Sequence, residues 1–278
     1  MFNSYEEKVV FCTSKENVEY CQPFLEITKK MALFAQEHFD EYLQKVNQKE
    51  QCSKIEYSKK TDTTSLPGGF YHPGINDLII NKVSRGVLTT KPKEEDSLFT
   101  YYFNELNQIV LITQGTGREL FEVFTYDNHK SYSIAYKRNW MIAGGPYVLD
   151  YTTMTEYGGN QLPSKYLVLI SRNIEDPSNK EEKIRLVQDN SYELHGQELT
   201  YDENNLLIQG RVVEYINQLP SLISTEGLEV AGLTNVLDES IYYFEHDKKG
   251  YIRGYVKKEC QLGHPINEVI NHKLKVKR

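Results

Sequence analysis

Two kinds of hydrophobic periodicity divide the chain. Between residues 22 and 48, apolar side chains recur at spacings of three and four, which indicates one face of an amphipathic helix. From residue 98 onward, apolar and polar positions alternate between turn residues, a pattern typical of antiparallel hairpins. The sequence therefore predicts an α+β fold, with an N-terminal amphipathic helix and a long twisted antiparallel β-meander of Tyr-rich hairpins.

The predicted helix has the composition of a helix that packs on a sheet. Pro23 suits a first helical turn, and charged and amide residues fill most positions outside the apolar face. A sharper alternative is that this helix binds a partner. The polar stretch from 49 to 69 is predicted as a linker or long loop, since it ends in Pro67-Gly68-Gly69. The apolar face comprises Phe24, Ile27, Met31, Phe34, Ala35, Tyr42, Leu43 and Val46.

A repeated unit supports the hairpin prediction. Each copy has two aromatic or apolar residues, then an acid or an asparagine, a polar turn and an apolar strand. In the four copies the acid or asparagine is Asn104, Asp127, Asp202 and Glu245. Such side chains can accept a backbone N–H, which is why they start hairpin turns.

The same patterns suggest how the chain is organised. Residues 1–90 are predicted as a helical N-terminal region, and the sequence leaves open whether they fold independently. Residues 91–278 are predicted as the hairpin meander, followed by a short C-terminal helix and a basic tail. Pro265 suits the first turn of that helix, and helical spacing continues to Ile270.

Composition changes this picture only by favouring β-structure. The chain has 278 residues, of which 39% are hydrophobic and 26% charged, ordinary values for a globular protein. Tyrosine is abundant, at 21 residues. Its ring favours pleated, half-buried surfaces where the hydroxyl group can reach water.

Charge is distributed unevenly along the chain. The formal charge of −7 argues against direct nucleic-acid binding. Residues 186–247 contain twelve acids and a single base, Arg211, for a formal charge of −11, whereas residues 248–278 carry +7. An acidic sheet face steers a basic protein partner, such as a nuclease toxin. The predicted partner-binding residues are Asp189, Glu193, Glu198, Asp202, Glu203, Glu214, Asp238, Glu239, Glu245 and Asp247.

Location and cofactors are predicted from what the sequence lacks. The N-terminus has no basic segment followed by an apolar segment, and no apolar run reaches the ~18 residues of a membrane helix. The four cysteines are scattered, without a C-x-x-C pair or a zinc-like cluster. These features predict a cytoplasmic protein with free thiols, no metal, no cofactor and no membrane contact.

No motif identifies a catalytic group. The stretch Gly115-Thr116-Gly117 is followed by alternating residues, so it predicts a hairpin turn and not a phosphate-binding loop. His129, His195 and His246 lie near acids in sequence. Adjacent acids such as Asp202 and Glu203 would face opposite sides of a strand.

The hairpin copies resemble a known family of repeats. Tyr126-Asp127 and Tyr201-Asp202 match the Tyr-Asp pair that precedes the turn in YD-type hairpins of RHS and related wall-associated proteins. Tyr-rich hairpins in a small acidic chain also resemble cytoplasmic immunity proteins of bacterial polymorphic toxins. The second resemblance implies a protein that binds and neutralises a toxin.

The sequence favours a non-enzymatic protein-binding protein over two alternatives. Its most specific form is an immunity protein that masks a basic toxin with the acidic segment. The first alternative is a hydrolase-type enzyme with a dispersed histidine and carboxylate site, because active sites assemble in space. The second is a structural hairpin-repeat module. The oligomeric state is not predicted.

Overall fold

The computed structural model contains one helix and thirteen strands in the part of the chain that it describes. That part comprises residues 30–31, 34–35, 37–48, 51–59, 71, 73–75, 87–89, 98–114, 120–138, 147–171, 192–217, 235–261 and 264–270. Helix α1 spans Phe39–Asn47. The strands are β1 (Lys54–Lys59), β2 (Val87–Thr89), β3 (Leu98–Phe103), β4 (Ile109–Gln114), β5 (Leu120–Asp127), β6 (Lys130–Arg138), β7 (Tyr147–Tyr157), β8 (Pro163–Ser171), β9 (Tyr192–Tyr201), β10 (Leu207–Asn217), β11 (Asn235–His246), β12 (Ile252–Gln261) and β13 (His264–Ile270).

The thirteen described strands form a single antiparallel sheet. From β3 to β13 each strand pairs with the next one in the chain, so this part of the sheet is an up-and-down meander. At one edge β1 pairs with β3, and β2 pairs with the other side of β1. The meander predicted from the hairpin repeat is confirmed at this level, and the described chain is β-rich with a short helix.

Five short connections lie at the same end of the sheet, because alternate turns of a meander reach the same end. We call them the hairpin tips; they join β3 to β4, β5 to β6, β7 to β8, β9 to β10 and β11 to β12. Four share one geometry, in which the first residue donates its N–H to the carbonyl four positions later. These tips begin at Asn104, Gly158, Asp202 and Asp247.

The fourth residue of each such tip adopts a left-handed conformation. Its φ is 59° at Asn107, 61° at Gln161, 61° at Asn205 and 77° at Gly250. Asparagine and glycine tolerate this region better than other residues do. In three of the four tips the residues that favour the turn are therefore an asparagine or aspartate at the first position and an asparagine or glycine at the fourth; the tip at Gly158 has Gln161 at its fourth position.

Residues that pair across neighbouring strands lie on the same face of the sheet, so the register shows which residues share each face. On the inner face, Tyr101 of β3 pairs with Ile112, which pairs with Glu122, and so on to Ala135 and Tyr151. The outer face holds the residues between them, such as Tyr102, Leu111, Val123 and Ile134.

Helix α1 covers the outer face of the sheet near β5. Tyr42 is buried there, and its burial together with the charge of Glu41 raises its pKa to about 12. The ring of Phe39 meets the ring of Tyr136 edge-on, with centroids 4.9 Å apart. The Tyr136 hydroxyl donates a 2.5 Å hydrogen bond to the carbonyl of Ala35. The helix is therefore fixed to the sheet by apolar contact, and the chain just before it by a buried hydrogen bond at Ala35.

The sheet is curled around its inner face. Residues 71–75, here called the strap, are described except for position 72, and they touch distant strands: Tyr71 contacts Glu56 of β1, and Ile75 lies against Gly210 of β10. Eight strand spacings separate β1 from β10, about 38 Å in a flat sheet with strands ~4.8 Å apart. Four residues of chain span at most about 14 Å. Both contacts therefore require a concave inner face.

The inner face is buried at both ends of the strap. Near Tyr71 the buried residues are Phe99, Tyr101, Phe103 and Ile112. Around Ile75 they are Leu199, Val212, Tyr242, Phe244, Ile252 and Tyr255.

Two sequence predictions are wrong in this structure. The C-terminal helix predicted from Pro265 to Ile270 is strand β13, paired with β12. A short apolar run has no decisive period, and β12 offers it a partner; proline is tolerated because β13 is the last strand of the sheet. The polar stretch 49–69 was predicted as a loop, but Lys54–Lys59 forms β1, because β3 pairs with it along six residues.

Other predictions for the N-terminal region are met in part. Of the helix predicted over 22–48, residues 22–29, 32, 33 and 36 lie outside the described residues. The described residues among 30–37 have a helical backbone, His38 forms a turn, and α1 begins at Phe39. Phe34, predicted on the apolar face, is 47% exposed and stacks on His38. The basic tail also lies outside the described residues. Within 1–90, strands β1 and β2 belong to the same sheet as β3.

Candidate functional site

The described parts of the acidic segment form three neighbouring strands. Residues of β9, β10 and β11 supply most of the predicted partner-binding acids, and these strands are adjacent in the sheet. We call them, with the tip between β9 and β10, the acidic band. Asp189 lies outside the described residues. For Glu193, Glu214, Asp238 and Glu239 the structure describes the strand position.

Strand register brings acidic positions opposite one another. Glu214 of β10 pairs with Asp238 of β11 and, on its other side, with His195 of β9. Like charges at directly opposed positions destabilise a sheet unless an opposite charge compensates them. The register thus concentrates acid in the middle of the band.

Two acids of the band are paired with bases. Glu198 Oε2 lies 3.3 Å from Arg211 Nη1, and Glu245 Oε2 lies 3.6 Å from Arg253 Nε. Lys165 of β8 is also the register partner of Glu198. Such exposed pairs contribute little to stability, but they neutralise this part of the band.

The tip between β9 and β10 holds an acid in a fixed geometry. Asp202 Oδ1 accepts the backbone N–H of Asn204 at 2.9 Å and of Leu206 at 2.8 Å. The hydrogen bond from Leu206, with further help from Asn204 and the charge of His246, holds the pKa of Asp202 below its usual value. The next residue, Glu203, is exposed. This tip presents two acids with no base among its own residues.

The tip between β11 and β12 has the same geometry but a mixed charge. Asp247 Oδ1 accepts N–H groups from Lys249 at 2.8 Å and Tyr251 at 3.0 Å, and the Tyr251 hydrogen bond is the main reason that its pKa is lowered. The sequence predicted Glu245 as the acid that starts this turn; that prediction is wrong, because the strand continues to His246 and Asp247 begins the turn. Lys248 and Lys249 are exposed beside it.

Neighbouring tips are tied to one another. Asn160 Nδ2 donates to Asn205 Oδ1 at 2.9 Å, which joins the β7–β8 tip to the β9–β10 tip. The Tyr157 N–H donates to the carbonyl of His129 at 2.8 Å. At the other edge, Lys54 Nζ lies 3.4 Å from Asn107 Oδ1. These contacts link the β5–β6, β7–β8 and β9–β10 tips in a row, and they join β1 to the β3–β4 tip.

The histidines singled out in the sequence do not converge. His129 lies in the β5–β6 tip, His195 in the middle of β9 and His246 at the end of β11. Among the described residues no group of three or more His, Cys, Asp or Glu side chains could hold a metal ion. His246 does lie close enough to Asp202 for its charge to affect the carboxylate.

A buried carboxylate on the inner face was missed by sequence reasoning. Glu122 is 1% exposed and accepts hydrogen bonds from Ser133 at 2.5 Å and from the Tyr151 hydroxyl at 2.8 Å. Because Ser133 has one proton to donate, Thr153 must be the donor in the 2.5 Å contact between their hydroxyls. The signal was present as a lone acid between Phe121 and Val123.

Searches against protein-family models, curated proteins and solved structures found no match to this chain. Within the described residues, no helix is both long enough and apolar enough to span a membrane.

Proposed function

We propose that this protein is a non-enzymatic protein-binding protein that recognises a basic partner through the acidic band. The observation that supports this most is the position of the described acids of the −11 segment on three adjacent strands and at a fixed acidic tip. Acids from separate stretches of the sequence, such as Glu214 and Asp238, thereby lie at neighbouring strand positions. The most specific form of the proposal is an immunity protein that masks a basic toxin, such as a nuclease, in the bacterial cytoplasm.

The geometry of the tip suits recognition. Asp202 is held by two backbone hydrogen bonds, so little conformational freedom remains to be lost when a partner binds. Exposed acids raise the association rate of a basic protein, and salt screens this effect.

The hydrolase alternative has less support. A general acid–base site needs its groups within hydrogen-bond reach of one reacting atom, and the three histidines lie at separate places in the sheet. The buried Glu122 contacts hydroxyl groups and is almost fully enclosed.

The proposal can be tested by affinity capture from lysate of the source cells at low and moderate salt. We expect one basic protein in stoichiometric amount, lost as salt rises. The informative variant is Asp202→Asn with Glu203→Gln, because Asn104 shows that an amide keeps the same turn: its Oδ1 accepts from Leu106 at 3.0 Å and Gln108 at 2.9 Å.

This variant should bind the partner roughly 2- to 30-fold more weakly, as expected for two exposed charge contacts. The matched control is Glu105→Gln with Asp127→Asn, which removes the same charge from the β3–β4 tip and from the end of β5, both outside the acidic band. Equal affinity and equal salt dependence of the wild type and the Asp202/Glu203 variant would show that the band is not the recognition surface.

A further inference from the structure

Three residues of types that bind metal ions occupy one row of the inner face. Glu214 of β10 is the register partner of Asp238 on one side and of His195 on the other. Val212, two residues before Glu214, belongs with Ile75 to the buried core of the inner face. Because alternate residues of a strand share a face, the whole row of three positions lies on the inner face.

The register places these three positions close enough to share one ion. For Glu214 and Asp238 the structure describes the strand position, and His195 is half-buried. Neighbouring strands lie about 4.8 Å apart, so a point above the middle strand is within one strand spacing of both neighbouring positions. The inner face is concave, and the positions of one row on a concave face are closer together above the sheet than within it. The half-buried histidine leaves a route to this point from solution.

No Lys or Arg lies beside the opposed acids among the described strand positions of this face. The positions that surround the pair are Val212, Ile216, His195, Val236, Ser240 and Gln261. The single base of the acidic segment, Arg211, is on the outer face, opposite Glu198. On β12 the nearest base of the inner face is Lys257, about 13 Å along the strand and opposite Glu268. Since opposed like charges destabilise a sheet, these positions favour a bound cation.

We propose that His195, Glu214 and Asp238 form a site for a first-row divalent metal ion such as Zn²⁺. One imidazole and two carboxylates are ligands that such ions use, and three protein ligands leave a coordination position open to water. The two carboxylates balance the charge of the ion, so binding removes the repulsion between β10 and β11. This site gives Glu214 and Asp238 a metal instead of a basic protein to bind. It does not include the acids of the β9–β10 tip, so this proposal and the proposed function can each fail alone.

The test is a calorimetric titration of the full-length, metal-free protein with Zn²⁺ near neutral pH. Asp238→Asn and His195→Gln should each weaken Zn²⁺ binding at least about tenfold, because even the loss of a group that only orients a metal ligand costs roughly 10–100-fold in affinity. Two matched controls should keep the wild-type affinity. Glu198→Gln removes the same charge from the outer face of β9, and His129→Gln removes an imidazole from the β5–β6 tip.

A thermal denaturation experiment separates a metal site from a purely structural role of the acids. Without metal, Glu214→Gln removes one of two opposed charges and should leave the Tm unchanged or raise it. At a Zn²⁺ concentration about 100 times the dissociation constant, the Tm of the wild type should rise by roughly 5–10 °C. Glu214→Gln should lose this rise. Asp238→Asn provides the same comparison if the Glu214 variant does not fold.

Two results would overturn the proposal. One is the absence of Zn²⁺ binding, or equal affinity of the wild type, Asp238→Asn and His195→Gln, which would assign the ion to other groups such as the cysteine thiols. The other is a metal-free Glu214→Gln protein with a clearly lower Tm than the wild type. In that case a base of the protein already compensates the two acids, and no metal ion is needed.

Discussion

The two faces of β5 are both buried, but different chemistry buries them. On the outer face, Phe121 packs with Tyr136 and Tyr147, at centroid distances of 5.2 and 4.9 Å, beneath helix α1. On the inner face, Glu122 is enclosed by hydroxyl groups of neighbouring strands. Adjacent residues of one strand therefore serve an apolar layer and a polar one.

Strand β5 is therefore covered on both of its faces. Phe121, Glu122 and Val123 are buried in succession, as expected only when both faces are covered. The outer side depends on apolar contact, which tolerates some change of shape. The inner side depends on matched hydrogen-bond donors and acceptors. If one of them is removed, its partner stays buried without a hydrogen bond, which destabilises the fold.

The largest effect is expected on the outer face. Phe121→Ala removes a ring that is 2% exposed and should lower the free energy of unfolding by about 3–5 kcal/mol. Urea denaturation measures this directly. Leu106→Ala is the matched control, because Leu106 is 78% exposed at a hairpin tip and should change stability by less than about 0.5 kcal/mol.

On the inner face, Glu122→Ala should lower the free energy of unfolding by about 2–4 kcal/mol, because two buried hydroxyl donors lose their acceptor. Glu122→Gln keeps an acceptor oxygen and should be less destabilising, by less than about 2 kcal/mol. Equal losses for the two variants would contradict the importance of these hydrogen bonds. Chemical denaturation at neutral pH distinguishes the outcomes.

The smallest effect concerns the tips, where neither face is involved. The pKa values of Asp202 and Asp247 are lowered in the folded protein from the usual 3.8. Their contribution to stability is therefore present above pH 4 and is lost as pH falls through the lowered values. The double variant Asp202→Asn/Asp247→Asn should be slightly less stable than the wild type at pH 6, with a Tm difference that shrinks toward pH 2. A difference that stays constant with pH would contradict this.

Much of the fold was predictable because hairpins are local. Asn104 and Asp202 start their turns through hydrogen bonds to residues two and four positions away, so nearby sequence specifies them. Strand β1 was missed, since its polar sequence forms a strand only by pairing with β3, more than forty residues later. Likewise Pro265–Ile270 fits a helix or a strand, and the edge of β12 decides.

The candidate sites were predictable to different degrees. Charge counting found the acidic segment, but the ion pairs Glu198–Arg211 and Glu245–Arg253 depend on cross-strand register. The contact of Ile75 with Gly210 could not be predicted, because the two residues lie 135 positions apart in the chain. A glycine in a strand indicates that another group packs close to the backbone there, but it does not identify which residue that is.

The sequence by itself determined the hairpins, their turns and the charge of the segment that became the acidic band, because alternation, turn chemistry and charge act over a few residues. Only the tertiary structure decided which way the sheet curls, what lies in its concave face and which buried side chains surround Glu122. Those features join residues far apart in the chain, so patterns that act over a few residues do not specify them.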